Sequence, residues 1–304
     1  MTGPGGGNRS LTIRLPRDQA RRVEEILQAE GVPLEPCDHA FFRGRAQGCV
    51  ITFYKSGKLL LQGPLAESWA MRLAGGVPQG KDPAKDLPGG VVPVVGSDES
   101  GKGDYFGPLV VAAVYAPPEK WDLLQRAGVQ DSKALADRRS LTLAGWIEKE
   151  FPSAHRTLMP EEYNPAWREA DRNLNKLMGR LHAQVLRELL PHLEGAPKGL
   201  VLVDRFGPLS RVADALGPLP KGVKLLQIPR AEIHPVVAAA SIVARARFLE
   251  GLQECSRRAA TNLPKGSGPA AKETAARVVE IGGRDLLAQV AKLHFKITPG
   301  LFPG

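Results

Sequence analysis

The chain has 304 residues and a formal net charge of +9, which gives enough material for two domains and favours a polyanionic partner without establishing one. Cys37, Cys49 and Cys255 are odd in number and form no CxxC pair, so reduced, buried thiols of an intracellular protein are expected. The first ten residues lack an apolar signal region and no later apolar run could span a bilayer, which predicts a soluble, cytoplasmic protein with no membrane partner.

A small α+β domain is predicted for residues 1–74. After a glycine-rich start, Leu11 to Leu15 alternates like a strand, and Asp18 can cap a helix that is terminated by Gly31. Three more strands and a second helix are then predicted, and together they indicate a curved antiparallel sheet. The strands are Ala40 to Arg45, Gly48 to Tyr54 and Lys58 to Gln62, and the helix is Leu65 to Leu73.

Positive charge is concentrated on or near these predicted strands. Arg43, Arg45, Lys55 and Lys58 all lie there. They are either ordinary solvated charges or parts of a phosphate-binding face, in which lysine and arginine supply affinity without sequence choice. The residues alone leave both interpretations open.

Residues 75–93 are predicted to be a linker between the two domains. They are rich in glycine, proline and lysine–aspartate pairs, and they show no periodicity. A partial match to a phosphate-binding loop fails because Asp82 stands where serine or threonine is required and no strand precedes it. The second domain is therefore expected to cover residues 94–304.

The second domain opens with VVPVVGSDESGKGDYFGPLVVAAVYA, from Val91 to Ala116, in which two apolar runs flank two acids and a glycine turn. Apolar runs bounded by turn formers predict buried strands, so Asp98 and Glu99 should lie at the end of a central strand. Carboxylates at this edge are costly unless a cation offsets their charge, and Mg²⁺ or Mn²⁺ is the usual solution. Gly101 and Gly103 would allow a sugar–phosphate chain to approach the backbone closely.

Simpler interpretations of this stretch also exist. An isolated Asp-Glu pair is often only a solvated strand end. An EF-hand is poorly supported because Leu109 occupies loop position twelve, where a glutamate is required. A dinucleotide-binding loop is excluded because Phe106 replaces its third glycine and a strand follows instead of a helix.

Two further apolar strands stop at acids. Gly199 to Val203 precedes Asp204 directly, and Val223 to Ile228 is followed closely by Glu232. Open α/β sheets bind ligands beside the carboxyl ends of neighbouring strands, so four carboxylates are expected to converge there. Such a cluster needs divalent metal to stay ionised, and two ions about 3.5–4 Å apart could activate water and stabilise a leaving 3′ oxygen.

Helices complete the second domain. Leu174 to Leu190 predicts the most amphipathic of them, and His182 on it is expected to be a packed core residue instead of a catalytic base. A small-residue helix follows Glu232, and the tail predicts a turn and one or two helices. The remaining predicted elements are strands at Leu109 to Ala116 and Arg156 to Met159 and a helix at Ala136 to Glu150.

The motif G-S-D-E-S-G-K-G-D-Y-F-G-P resembles the signature of type 2 ribonucleases H, and its G-K-G-D-Y-F-G-P ending is similar to that of ribonuclease HIII. The resemblance covers about Leu11 to Thr298. It implies an α/β ribonuclease H-like mixed sheet flanked by helices, with an amino-terminal domain like the TATA-box-binding-protein fold. It further implies a monomeric endonuclease that hydrolyses the RNA strand of RNA/DNA hybrids with Mg²⁺ or Mn²⁺, leaving 5′-phosphate and 3′-hydroxyl ends.

The same resemblance implies roles for single residues. Asp98, Glu99, Asp204 and Glu232 would be both catalytic residues and metal ligands, with Glu250 as the substitute if Glu232 is misassigned. The backbone of the Gly101-Lys102-Gly103 turn would sense the RNA 2′-hydroxyl. Further substrate contacts are implied for Arg43, Tyr54, Lys55, Lys58, Ser132, Lys133 and Lys265, and the tail lysines Lys292 and Lys296 would also lie near nucleic acid.

Ribonuclease HII and a protein without activity are the main alternatives. Ribonuclease HII has arginine between the two glycines, a late tyrosine and a final aspartate, whereas this chain has Lys102, no tyrosine after Tyr163, and Glu232. A non-catalytic nucleic-acid-binding protein is disfavoured because carboxylates facing phosphates weaken binding unless metal intervenes. A nucleotide-dependent enzyme ranks last, since neither nucleotide fingerprint is complete.

Overall fold

The computed structural model describes residues 10–66, 69–70, 73, 92–129 and 135–302. The chain divides into two compact units, Met1–Asp86 and Leu87–Gly304. Within the described ranges, no helix combines the length and apolar character needed to cross a membrane.

The first unit is built on a five-stranded antiparallel sheet with the strand order β1-β5-β4-β3-β2. Its helix α1, Ala20–Ala29, contributes Val23 and Leu27 to a core with the inward side chains of the sheet. Because side chains alternate along a strand, Arg43, Tyr54 and Lys58 lie on the opposite sheet face. The strands are β1 Ser10–Arg14, β2 Leu34–Glu35, β3 Ala40–Ala46, β4 Cys49–Tyr54 and β5 Lys58–Gln62.

One predicted detail of this unit is wrong, one is confirmed and one lies partly outside the described residues. A 3₁₀ turn, Arg17–Gln19, precedes α1, and no side chain caps either element, so Asp18 is not the predicted cap. The helix is terminated at Gly31 as predicted, because Gly31 has φ +69° and follows the C-cap residue Glu30. The helix predicted at 65–73 includes residues 67–68 and 71–72, which lie outside the described part of the chain.

The second unit contains a mixed five-stranded sheet with the strand order β10-β9-β6-β7-β8. Strands β6, β9 and β10 run parallel to one another, while β7 and β8 are antiparallel to their neighbours. The carboxyl ends of the three parallel strands therefore meet at one edge. The strands are β6 Val94–Ser100, β7 Leu109–Ala116, β8 Ser153–Leu158, β9 Gly199–Asp204 and β10 Val223–Ile228.

Apolar residues cover both faces of this sheet, as expected for strands that are buried on two sides. Val94, Val110 and Leu202 belong to the core that includes the small-residue helix α7, whereas Val95 and Val111 belong to the core of helix α5. The helices of this unit are α2 Trp121–Arg126, α3 Asp137–Glu150, α4 Pro160–Glu169, α5 Leu174–Leu189, α6 Ser210–Leu216, α7 Pro235–Arg258 and α8 Pro269–Val290. The predicted mixed sheet flanked by helices is confirmed.

Sequence patterns misplaced the start of one strand of the second unit. Strand β8 begins at Ser153, three residues before the predicted start at Arg156, because pairing with β7 extends to Val114. The predicted one or two helices of the tail are found as α8, which has two helical segments joined by a kink at Gly282 and Gly283, where the backbone leaves helical geometry.

Candidate active site

The predicted carboxylates lie at the edge where the parallel strands end. Asp98 and Glu99 are in the last three residues of β6, and Asp204 is the last residue of β9. The register pairs Ser97 with Val203 and Asp204 with Ile228 of β10. Glu232 follows β10 in the short 3₁₀ turn Ala231–Ile233. The topology thus brings all four acids to one edge, as the strand patterns predict.

Asp98 is the most deeply buried of these carboxylates. Asp98 is 8% exposed, and its Oδ1 accepts a hydrogen bond of 2.8 Å from the Glu99 backbone N–H. Burial raises the pKa of Asp98 well above its ordinary value, and the charges of Glu99 and Asp204 raise it further. A hydrogen bond from Ser241 opposes this shift. An ionised Asp98 is therefore costly without a compensating positive charge.

Asp204 and Glu232 interact through charge. The Ala231 N–H donates to Asp204 Oδ1 at 2.9 Å. Burial raises the pKa of Asp204, this N–H lowers it, and the charges of Glu232 and Glu99 raise it again. The Oε2 atom of Glu232 is buried and has no hydrogen-bond partner among the described residues.

Glu99 has a different environment because two basic side chains face it. Lys102 Nζ lies 3.5 Å from Oε1, and His182 Nε2 lies 3.5 Å from Oε2. Burial raises the pKa of Glu99, but His182 and Lys102 together lower it below its ordinary value. His182 and Lys102 thus favour the ionised form of Glu99.

The donor set suits a hard divalent cation. All four side chains offer oxygen, the ligand type preferred by Mg²⁺ and Mn²⁺. Glu99 Oε2 and Glu232 Oε2 are buried oxygens without a hydrogen-bond partner in the described chain. In this geometry Asp98, Glu99 and Asp204 interact with hydrogen-bond donors of the protein itself. Among the described residues, no three acidic, histidine or cysteine side chains are close enough together to form a ready metal site. The chemistry fits, and the side chains would have to turn toward a bound ion.

The glycine turn after β6 is fixed by packing. Gly101 has φ +87°, and a Cβ added there would lie 2.1 Å from the Pro108 carbonyl oxygen. Gly103 instead has open space, with no atom within 4 Å of an added Cβ. Asp104 Oδ1 accepts a 2.6 Å hydrogen bond from Gly266 N–H, which ties the turn to the carboxy-terminal region.

Lys292 supports the same turn from inside the protein. The residue is fully buried, and its Nζ donates to the carbonyl oxygens of Gly107 at 2.5 Å and Pro108 at 3.1 Å. Burial lowers the pKa of Lys292 to about 7. The expectation that Lys292 lies near nucleic acid is wrong, because its ammonium group is occupied within the core. Lys296, by contrast, is exposed.

The other predicted substrate residues of this unit have varied positions. Lys102 faces Glu99 and also lies over the Phe206 ring, 5.8 Å from its centroid. Lys265 forms a 2.8 Å ion pair with Asp137 while remaining half-exposed. Ser132 and Lys133 lie outside the described residues.

The predicted substrate residues of the first unit occupy one sheet face and its adjoining turn. Arg43 Nε donates to Thr52 Oγ1 at 3.3 Å, and Lys58 Nζ lies 5.9 Å from the Tyr54 ring centroid. Lys55 and Lys58 are exposed. This face combines positive charge with an aromatic ring, two features of nucleic-acid-binding surfaces.

The contacts of His182 with this site are missed by sequence reasoning. The residue is fully buried, as expected for a core position, but its Nδ1 lies 2.7 Å from Ser97 Oγ and its ring stacks on Phe206. The available signal was a histidine within an otherwise apolar helical stripe. Glu250, the substitute for Glu232, is instead half-exposed and paired with Arg247 on the surface of α7.

Comparisons with known proteins agree with this geometry. The family model described as Ribonuclease HII matches residues 95–298, and a domain of unknown function, DUF3378, matches residues 32–85. Ribonuclease HIII of Bacillus licheniformis is 38% identical, over 85% of this chain and 87% of the relative. Ribonuclease HIII of Bacillus subtilis is 36% identical, over 85% and 86%.

Solved structures give the same result. The crystal structure of Bst-RNase HIII in complex with Mn²⁺ is 32% identical, has a TM-score of 0.63, and the match covers 96% of this chain and 98% of that one. Aquifex aeolicus RNase H3 is 26% identical with a TM-score of 0.54, covering 94% and 100%. The ribonuclease H-like fold is confirmed, while the likeness of the first unit to TATA-box-binding proteins stays a prediction. The chain belongs to the ribonuclease HIII family.

Proposed function

We propose that this protein is an endonuclease that hydrolyses the RNA strand of RNA/DNA hybrids with Mg²⁺ or Mn²⁺ and leaves 5′-phosphate and 3′-hydroxyl ends. The observation that carries the proposal is the meeting of four acids at the ends of three parallel strands. Membership of the ribonuclease HIII family supports the substrate class, and the relative solved in complex with Mn²⁺ supports the choice of cation.

The residues that would hold the cations are Asp98, Glu99, Asp204 and Glu232. Paired divalent ions in such a site lower the pKa of water and stabilise the leaving oxygen during phosphodiester hydrolysis. The protein contributes an ionised Glu99 between Lys102 and His182. The raised pKa values of Asp98 and Asp204 mean that cations compete with protons for these two carboxylates.

Attack by water is favoured over attack by the RNA 2′-hydroxyl group. The latter route needs a general acid and a general base that reach the substrate. His182 is the histidine beside the carboxylates, and it is fully buried. The expected products therefore carry 5′-phosphate ends and no 2′,3′-cyclic phosphate.

Selection of the RNA strand is assigned to the Gly101-Lys102-Gly103 turn. Contact with the 2′-hydroxyl distinguishes RNA from DNA. The open space at Gly103 supports an approach of the sugar to this part of the backbone. At Gly101 an added Cβ would collide with the Pro108 carbonyl oxygen and the Phe248 ring, so glycine is also needed there for the packing of the turn.

The first unit is proposed to bind the hybrid by contacting the sugar–phosphate backbone of the nucleic acid. Arg43, Tyr54, Lys55 and Lys58 would provide this contact, in which cations neutralise phosphates and the ring packs on the nucleic acid. Lys265, Ser132 and Lys133 are also proposed to contact the substrate. The corresponding domains are residues 1–74 and 94–304, joined by the linker 75–93.

Analysis of the product ends tests the proposed reaction. A hybrid with an internally labelled RNA strand is incubated with the full chain and Mn²⁺ or Mg²⁺, and the fragments are then offered to an RNA ligase that requires a 5′-phosphate and a 3′-hydroxyl. Religation, with no cleavage in the presence of EDTA, is the expected result. Fragments with cyclic phosphate ends, or cleavage unaffected by EDTA, would contradict the proposal.

A further inference from the structure

A buried polar chain connects the interior of the second unit to Glu99. Ser97 and His182 are both fully buried. Ser97 Oγ lies 2.9 Å from the Ala112 carbonyl oxygen and 2.7 Å from His182 Nδ1. On the other side of the imidazole ring, Nε2 lies 3.5 Å from Glu99 Oε2. The chain thus runs from a strand carbonyl, through two side chains, to a proposed metal ligand.

The number of hydrogens available to Ser97 and His182 determines whether the imidazole nitrogen beside Glu99 carries a hydrogen. The Ser97 hydroxyl has one hydrogen to give. When it goes to Ala112, His182 Nδ1 must donate to Ser97, and a bare Nε2 would then oppose the Glu99 Oε2 atom at 3.5 Å, which is unfavourable for two buried atoms. When it goes to His182 Nδ1, the neutral ring carries its hydrogen on Nε2. The second arrangement, in which Nε2–H faces Glu99, is therefore the favourable one.

The surroundings leave the imidazole ring little freedom to turn away. Phe206 stacks on it with a centroid distance of 4.8 Å and an angle of 8° between the ring planes. His182 Nε2 and Glu99 Oε2 are buried, and neither atom has a hydrogen-bond partner among the described residues. The two atoms lie 3.5 Å apart. A small movement of the carboxylate therefore satisfies two buried atoms at once.

We propose that His182 is a positioning residue that orients the Glu99 carboxylate through Nε2–H, with Ser97 and Phe206 fixing the ring. This rests on the proposed function, in which Glu99 is a metal ligand. Donors behind a ligand commonly set its orientation and its affinity for metal. Lys102 performs the corresponding task at Oε1, so Glu99 is held from both oxygens.

Two substitutions at one position separate hydrogen bonding from packing. In H182Q the side-chain amide nitrogen can occupy the place of Nε2, whereas in H182N it can reach only the place of Nδ1. Both variants keep a polar amide in the same buried site. Mn²⁺ alone is titrated into the metal-free full chain by calorimetry, and thermal melting of each variant checks that it is folded.

We expect H182N to bind Mn²⁺ about 10–100-fold more weakly than wild type, and H182Q to stay close to wild type. The loss should disappear when H182N is combined with E99Q, because the histidine acts through Glu99. If H182N does not fold, S97A serves instead and should weaken Mn²⁺ binding in the same direction, since the ring loses its partner at Nδ1.

Other outcomes would overturn the role of His182. They are wild-type Mn²⁺ affinity in H182N, an equal loss in folded H182Q and H182N, or an undiminished loss in the E99Q background. Binding of Mn²⁺ by wild type without any cleavage of a hybrid would instead refute the proposed function, while the comparison of H182Q with H182N would still decide the role of His182. A wild type that binds no Mn²⁺ would refute both.

Discussion

At the scale of single residues, Asp98 is a source of instability in the absence of metal. Its pKa is raised by burial first and by neighbouring acids second. A carboxyl group whose pKa is raised on folding stabilises the protein below its unfolded pKa and loses that contribution as the pH rises through the folded pKa. At neutral pH the ionised group therefore costs free energy of folding.

The variant D98N should consequently melt at a higher temperature than wild type in EDTA near pH 8. We expect a gain of a few degrees in Tm, the usual scale for a single substitution of a buried group, and this gain should shrink as the pH falls toward 4. Added Mg²⁺ or Mn²⁺ should stabilise wild type more than D98N. A lower melting temperature for D98N than for wild type in EDTA at pH 8 would refute this explanation.

Matched substitutions can show whether Glu232 or Glu250 is the fourth carboxylate of the site. The charge of Glu232 acts on Asp204, whereas Glu250 is paired with Arg247 at the protein surface. We expect E232Q to lose at least about 100-fold in kcat on a hybrid, as removal of a group that acts on the reacting atoms commonly does. E250Q should keep wild-type activity and lose at most a few tenths of a kcal/mol of stability. The reverse result would show that Glu250, and not Glu232, is the fourth carboxylate of the site.

At the scale of elements, the glycine turn separates folding from recognition. G103A adds a methyl group in open space, so we expect a normal melting temperature, unchanged Mn²⁺ affinity and reduced cleavage of the hybrid. G101A places a methyl group against backbone at φ +87°, so we expect a loss of stability of at least about 1 kcal/mol. Thermal melting and hybrid cleavage together measure both effects. Full hybrid cleavage by G103A would remove the turn from RNA recognition.

Sequence reasoning identified elements whose signals are local. The apolar runs before Asp98 and Asp204 have the length and bounds of buried strands, and both strands formed there. The contact of His182 with Ser97 depends on residues 85 positions apart in the chain, which no local pattern specifies. The prediction for Lys292 was wrong for the same reason, because the carbonyl oxygens that accept hydrogen bonds from its side chain belong to the distant glycine turn. Periodicity predicts burial and does not predict which polar groups meet.

At the scale of the whole molecule, the first unit is expected to add affinity without sequence choice. Deletion of residues 1–74 removes the face that carries Arg43 and Lys58, so hybrid affinity should fall and its dependence on salt should weaken. The double variant R43A/K58A should reduce the slope of log K against log salt by about 1–2, with the fold intact. Fluorescence anisotropy at several salt concentrations measures both. Unchanged affinity after deletion would leave this unit without a role in binding.

The most direct test of the account is cleavage of two labelled duplexes in the presence of Mg²⁺ or Mn²⁺. One is a continuous RNA/DNA hybrid and the other is DNA with a single ribonucleotide, and D98N serves as the control. We expect metal-dependent cleavage of the hybrid, 5′-phosphate ends, poor cleavage at the single ribonucleotide and loss of activity in D98N. Efficient cleavage at the single ribonucleotide would indicate the specificity of a ribonuclease HII, and binding of the hybrid without any cleavage would contradict the proposed catalytic site.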